Sequence, residues 1–108
     1  MLTVMIHAQV KNECLNEYLD LIKLLTQKTT KKGCLNYSFN QNKEEPTEFV
    51  LYEQWESQKD LDNHIKELLT ILGPAKLGEP IPEKLMNMYK KVKPVFYNVV
   101  GVNAWQST

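Results

Sequence analysis

The chain has 108 residues, of which 43% are apolar and 24% are charged, and these values exclude disordered and fibrous classes. We expect one domain spanning residues 1–108. The thirteen basic residues are all lysine and are balanced by thirteen acidic residues. This balance predicts no nucleic-acid partner, and the lack of arginine excludes bidentate capture of a phosphate.

No apolar run approaches the ~20 residues that a membrane helix needs, and the N-terminal residues lack a signal-peptide pattern. We therefore expect a cytoplasmic protein without membrane association. Cys14 and Cys34 are expected to be reduced.

The first third of the chain predicts a strand and a helix. Residues 2–10 alternate between apolar and mixed positions, which is typical of a strand with one buried face. Asn12 is a suitable N-cap for a helix that we expect to end near Lys32, just before Gly33. The residues expected to face the core are Leu15, Leu19, Ile22 and Leu25.

The middle of the chain predicts a hairpin followed by a second helix. Strand two is expected over residues 34–40, with Leu35, Tyr37 and Phe39 on one face. Strand three should place four alternating residues on the inner face, namely Phe49, Leu51, Glu53 and Trp55. Helix two should open at Ser57 with Asp60 in its first turn, and end near Leu72 before Gly73-Pro74. Its buried stripe is expected to contain Leu61, His64, Ile65 and Leu68.

The last third contains an insert over residues 73–94. Residues 73–82 hold two glycines and three prolines and are expected to form a loop. A short helix is expected over residues 83–91, with Pro94 ending it, and a last strand over residues 95–102.

The predicted order β-α-β-β-α-β indicates an α+β, ferredoxin-like fold with an antiparallel sheet and both helices on one face. The opposite sheet face still carries Met5, Val50 and Tyr52. Since a small sheet with an uncovered apolar face needs a second layer, we expect a homodimer.

Three segments, residues 33–37, 46–57 and 61–65, together resemble the antibiotic biosynthesis monooxygenase (ABM) domain family. The resemblance implies a dimeric α+β barrel with a cavity between sheet and helices in each subunit. It also implies a relation to cofactor-free enzymes that oxidise anthrone-like or quinol substrates with O2, and to haem-degrading enzymes.

The predicted site follows from the side chains that face this cavity. His64 is the candidate base, because a histidine titrates near neutrality, and Trp55 is assigned a catalytic role beside it. Tyr37 could stack on an aromatic ring, and Glu53 is either a carboxyl of raised pKa or an ion-pair partner. The expected apolar walls are Ile6, Leu35, Leu51, Leu61, Ile65 and Leu68.

Other interpretations remain open for each residue. His64 and Trp55 could both be core residues, and His7 is read as an interface or surface group. Leu51 and Leu61 stand where the anthrone-oxidising branch has polar side chains. Pro74 stands near the place of the haem-ligating histidine of the haem-degrading branch.

The sequence therefore leaves two functions open. One is a monooxygenase without metal or organic cofactor, which oxidises a quinol-like or polyphenolic compound. The other is a non-catalytic barrel that binds a small hydrophobic molecule. The histidine and cysteine spacings predict no metal site. The insert could form a lid over the cavity.

Overall fold

A computed structural model describes residues 1–29 and 32–102 of the chain. Its strands are β1 (Leu2–Val10), β2 (Cys34–Gln41), β3 (Glu48–Trp55) and β4 (Tyr89–Asn98). Its helices are α1 (Leu15–Lys28, preceded by a 3-10 turn over Asn12–Cys14), α2 (Gln58–Leu72) and the short α3 (Glu83–Met86). None of the described helices is long and apolar enough to span a membrane.

The four strands form one antiparallel sheet in the order β2-β3-β1-β4. This order, with crossovers through α1 and α2, is that of a ferredoxin-like α+β fold, so the predicted fold class is confirmed. The inner face of β3 is buried at every second residue, as its alternating sequence predicts.

The core between sheet and helices is centred on Tyr18, a residue that the helix pattern did not single out. Tyr18 is fully buried on α1, and its ring packs edge-on against Phe49 with centroids 4.9 Å apart. The hydroxyl groups of Tyr18 and Tyr89 are 2.8 Å apart and form a buried hydrogen bond. The partner hydroxyl removes the cost of burying a polar group, so two tyrosines can occupy an otherwise apolar core.

Helix α1 is shorter than predicted, because it ends at Lys28 and not near Lys32. Thr29 leaves the helical conformation with ψ 145°, while its side-chain hydroxyl donates to the carbonyl of Leu25 at 2.7 Å. Lys31, expected in the last turn, lies outside the described residues. Leu25 is buried as expected, but Leu15, Leu19 and Ile22 are only partly buried.

The expected helix over residues 83–91 and strand over residues 95–102 are both corrected by the structure. Helix α3 ends at Met86, and β4 already begins at Tyr89 and ends at Asn98. Pro94 was read as the end of a helix, but it lies within β4 and pairs with Ile6. Since β4 is at the edge of the sheet, it tolerates a residue that lacks a backbone N–H.

The N-terminus of α2 is fixed to the start of β2. Ser57 is the N-cap, as predicted, and its hydroxyl oxygen accepts from the backbone N–H of Asp60 at 3.2 Å. Gly33, with φ +72°, accepts from the backbone N–H of Glu56 at 2.8 Å and packs directly against the Asp60 carboxylate. A Cβ at Gly33 would overlap the Asp60 carboxylate, so a larger residue requires Asp60 to move as well as a strained backbone.

Replacement of Gly33 by alanine should destabilise the protein through both backbone strain and steric overlap. We expect Gly33→Ala to lower the free energy of unfolding by roughly 2–4 kcal/mol, of which about 1 kcal/mol comes from the positive φ. Gly78→Ala is the matched control, because Gly78 has φ +83° and no atom within 4 Å of its ideal Cβ position. Urea unfolding of both variants measures the difference, and equal losses would contradict the role assigned to the Asp60 contact.

Candidate active site

A cavity of about 390 Å³ lies between the inner face of the sheet, α2 and the segment that carries α3. Its walls are mainly aliphatic and aromatic, as is usual for sites that bind small organic molecules. Three polar side chains, Glu53, His64 and Gln58, interrupt these walls on the side of β3 and α2. A larger hollow of about 950 Å³ lies at the opposite side of the sheet around His7, but it is open and bordered by lysines, so we place the candidate site in the inner cavity.

Glu53 and His64 reach the cavity because of two different periodicities. Glu53 follows Leu51 by two residues and therefore shares the inner face of β3. His64 lies three residues after Leu61 and four before Leu68, which places all three on the buried face of α2. Only 5% of Glu53 and 2% of His64 is exposed, so two ionisable groups are buried side by side.

The Glu53 carboxylate has a fixed hydrogen-bond donor in Trp55. The Trp55 indole Nε1–H donates to Glu53 Oε1 at 3.0 Å, and both residues lie on the inner face of β3. His64 Nε2 is 4.0 Å from the same oxygen, which is too long for a hydrogen bond. Among the described residues, neither His64 nitrogen has a hydrogen-bond partner. Burying an imidazole without a partner costs free energy. Because neither nitrogen is bonded to these residues, the proton-accepting nitrogen is available to a molecule in the cavity.

Burial favours the neutral form of both groups, so their pKa values shift in opposite directions. Desolvation lowers the pKa of His64 from 6.5 to about 4, so the imidazole is neutral at neutral pH. Desolvation also raises the pKa of Glu53, and the hydrogen bond from Trp55 partly opposes this rise by stabilising the carboxylate. The distance of 4.0 Å between the pair therefore does not mark a salt bridge, because the imidazole carries no charge.

Two aromatic rings hold the imidazole in place. The Trp55 ring lies 4.7 Å from the His64 ring at an interplanar angle of 35°, and the Tyr37 ring meets it edge-on at 5.0 Å and 73°. Burial raises the pKa of the Tyr37 hydroxyl, which is therefore uncharged at neutral pH. The imidazole is thus oriented by packing rather than by a hydrogen bond.

The structure brings eight of the ten predicted site residues to the cavity. These are Ile6, Tyr37, Leu51, Glu53, Leu61, His64, Ile65 and Leu68. Trp55 does not line the cavity, because its ring packs beside His64 and its N–H is directed to Glu53. Trp55, to which the sequence analysis assigned a catalytic role, is therefore placed beside the cavity and not in its lining.

Leu35 is the second correction, since it is 45% exposed and lies outside the cavity. The register of β2 against β3 shifts between Cys34 and Asn36, which pair with adjacent residues of β3. Leu35 is the extra residue of this β-bulge, and strict alternation fails there. Consequently Cys34 and Tyr37, three positions apart, both pack against the cluster around Trp55.

Beyond the ten predicted site residues, the segment after α2 supplies further residues to the cavity. They are Glu79, Pro80, Ile81, Leu85, Met86 and Tyr89, together with Val92, Pro94 and Phe96 of β4. The composition of the insert had suggested a loop over the cavity, and this part of it does line the cavity. The missed signal was the alternation of Val92, Pro94 and Phe96, which is typical of a strand face.

Comparisons with known proteins agree with this architecture. The family model described as antibiotic biosynthesis monooxygenase matches residues 1–67. A protein from Nitrosomonas europaea, provisionally named an antibiotic biosynthesis monooxygenase, is 20% identical with a TM-score of 0.75, and the match covers 94% of this chain and 100% of that one. A conserved protein from Methanosarcina mazei is 27% identical with a TM-score of 0.66 and 89% of each chain covered. No match was found among curated proteins.

The lowered pKa of His64 should make the protein sensitive to acid. In the unfolded chain the imidazole binds a proton near pH 6.5, whereas in the folded protein it does so only near pH 4. Stability should therefore fall as the pH falls from 6.5 toward 4, by about 3 kcal/mol from this residue. The raised pKa of Glu53 acts in the opposite direction, because protonation of that carboxyl favours the folded state.

The variant His64→Phe isolates this contribution, since phenylalanine fills a similar volume and does not titrate. We expect the free energy of unfolding of the wild type to decrease more steeply between pH 6.5 and pH 4 than that of the variant. Chemical denaturation at several pH values measures both curves. The same comparison in a Glu53→Gln background removes the opposing group, and parallel curves in both backgrounds would show that His64 is not buried in the neutral form.

Proposed function

Because the chain belongs to the antibiotic biosynthesis monooxygenase family, we propose that it is a monooxygenase that oxidises a quinol-like or polyphenolic small molecule with O2, without metal or organic cofactor. The observation that carries the proposal is His64, a neutral imidazole without a hydrogen-bond partner among the described residues, facing an apolar cavity. Such a group can accept a proton from a bound hydroxyl or activated C–H.

The proposed chemistry needs only a base, an apolar site and O2. Removal of a proton from a quinol gives an electron-rich anion, and this anion transfers electrons directly to O2. One oxygen atom then enters the ring and the other leaves as water, so that quinol and O2 give hydroxyquinone and water. The substrate supplies all four electrons, and no external reductant is required. A dry cavity favours this route, because it excludes water from the reactive anion.

Each polar residue of the site has a distinct part in the proposal. His64 takes the proton, and Tyr37 contributes an aromatic wall beside it. Glu53 stands 4.0 Å from the imidazole and stabilises the imidazolium that proton transfer creates. Trp55 is a positioning residue, because its N–H fixes Glu53 without reaching the cavity.

The proposal predicts oxygen uptake that depends on His64. Chelator-treated protein should consume O2 with anthrone or a simple quinol, and His64→Phe should reduce the rate by about 10²-fold or more, as expected for loss of a general base. Thr70→Ala is the control, since Thr70 is exposed on the same helix and bonds only to the carbonyl of Lys66. An oxygen electrode measures the rates, and full activity in His64→Phe would remove the mechanism.

A non-catalytic binding role is the second candidate, and one observation favours it. Leu51 and Leu61 are 5% and 3% exposed and line the cavity, so two wall positions offer no polar group to a developing charge. A binding protein should be stabilised by ring compounds through mass action without consuming O2. Thermal stabilisation without uptake above the spontaneous rate would favour this role.

We also propose that the protein is a homodimer that associates through the outer face of its sheet. Met5 is paired with Tyr52 on one side and Val95 on the other, which gives an apolar row across three strands. Val50 lies on the same face in the neighbouring row, where it pairs with His7, and Tyr97, which is 48% exposed, lies in the row on the other side, where it pairs with Thr3. A second copy related by a twofold axis would cover the row with the same residues.

Charge placed in the apolar row should separate the subunits. We expect Met5→Lys to shift the protein from dimer to monomer, because two lysines would be buried close together at a twofold interface. Leu24→Lys is the matched control, since Leu24 is 37% exposed on α1 in the helical layer. Sedimentation equilibrium gives the mass of each, and a Met5→Lys protein that remains dimeric would place the interface elsewhere.

A further inference from the structure

The cavity has acidic side chains in its lining but no lysine among the described residues. Its lining contains two carboxylic acids, Glu53 and Glu79, and the neutral imidazole of His64. Although every basic residue other than histidine is lysine, no lysine of residues 1–29 or 32–102 lines the cavity. The hollow on the other side of the sheet, by contrast, is lined by Lys91 and Lys93. The protein therefore has cations, but it places them away from the cavity.

Among the described residues, no lysine reaches the inner part of the cavity to pair with an anion. A carboxylate bound beside His64 would stand close to Glu53 in surroundings of low polarity. An anion would lose its hydration there, and it would be repelled by any negative charge that Glu53 carries. The Trp55 N–H, which is directed to this place, is already bonded to Glu53.

Glu79 brings the second carboxylate to the cavity from the loop after α2. This loop is closed at its base by a bridge between Ala75 and Pro82, and the backbone N–H of Glu79 donates to the carbonyl of Lys76 at 2.9 Å. The ammonium group of Lys76 is 3.9 Å from Glu83 and does not line the cavity. Glu79, an exposed residue of this loop, thus lies in the cavity lining, while Lys76 is directed to another partner.

From this arrangement we infer that the cavity selects uncharged ring compounds and rejects their anionic analogues, with Glu53 and Glu79 as the residues that determine this specificity. The inference deepens the proposed function, because it names the charge class of the substrate that the same site accepts. It concerns binding, however, so it can be tested whether or not the bound compound is oxidised.

Three naphthalene derivatives of similar shape provide the test. At about pH 7.5, 2-naphthol and methyl 2-naphthoate are uncharged, whereas 2-naphthoate is an anion. Isothermal titration calorimetry should show 2-naphthoate binding about tenfold or more weakly than the methyl ester, since burying an uncompensated carboxylate is costly. The ester controls for size, so the difference reports the charge alone.

Two variants test which residue causes the difference in affinity between ester and anion. Glu79→Gln should reduce the difference in affinity between ester and anion about threefold or more, because it removes a carboxylate from the cavity lining. Glu44→Gln is the matched control, since it removes an exposed carboxylate from the loop between β2 and β3 that does not line the cavity. The difference in affinity between ester and anion in Glu44→Gln should equal that in the wild type.

The outcomes separate the inference from the monooxygenase proposal. Equal affinity for 2-naphthoate and its ester, or no binding of any of the three compounds, would overturn the inference. If Glu79→Gln leaves the difference in affinity between ester and anion unchanged, the role of Glu79 would be overturned. Preference for the uncharged compounds in a protein that consumes no O2 would support the inference and contradict the monooxygenase proposal alone.

Discussion

The site depends on one physical constraint, which is that a carboxyl group and an imidazole are buried next to each other without forming an ion pair. Burying either group in its charged form is costly, and the Trp55 N–H offsets part of that cost for Glu53. The pKa values of Glu53 and His64 move in opposite directions as a result. A core selected only for stability would replace the pair with apolar residues, so the pair itself points to chemistry.

Different elements of the fold hold the two sides of the cavity in place. The strand β3 places Glu53 and Trp55 two residues apart on one face, and α2 brings His64 against them. The contact of Gly33 with Asp60 fixes the first turn of that helix, so the orientation of α2 depends on a residue at the start of β2. On the other side of the cavity, the buried Tyr18–Tyr89 hydrogen bond ties α1 to β4. The cavity lies between these two fixed regions.

The sequence predicted the parts of the molecule whose periodicity is regular. The alternation of β3, the buried stripe of α2 and the cap at Ser57 were all read correctly, because each rests on local spacing. The errors occur where tertiary context decides. Pro94 was read as a helix end, because the edge position of β4 cannot be known before the sheet order is known. The placement of Trp55 outside the cavity lining also could not be predicted, since two residues on one strand face can either both reach a cavity or bond to each other.

The bulge at Leu35 has a consequence for how relatives of this chain are compared with it. One extra residue in β2 exchanges inward and outward positions on its two sides, so Cys34 and Tyr37 face the same way although their separation is odd. In a relative that lacks the bulge, an ungapped alignment would match residues that face the cavity with residues that face away from it. A one-residue gap at Leu35 restores the correspondence. Substitution patterns in β2 therefore carry information about ligand specificity only after the alignment has been corrected for backbone geometry.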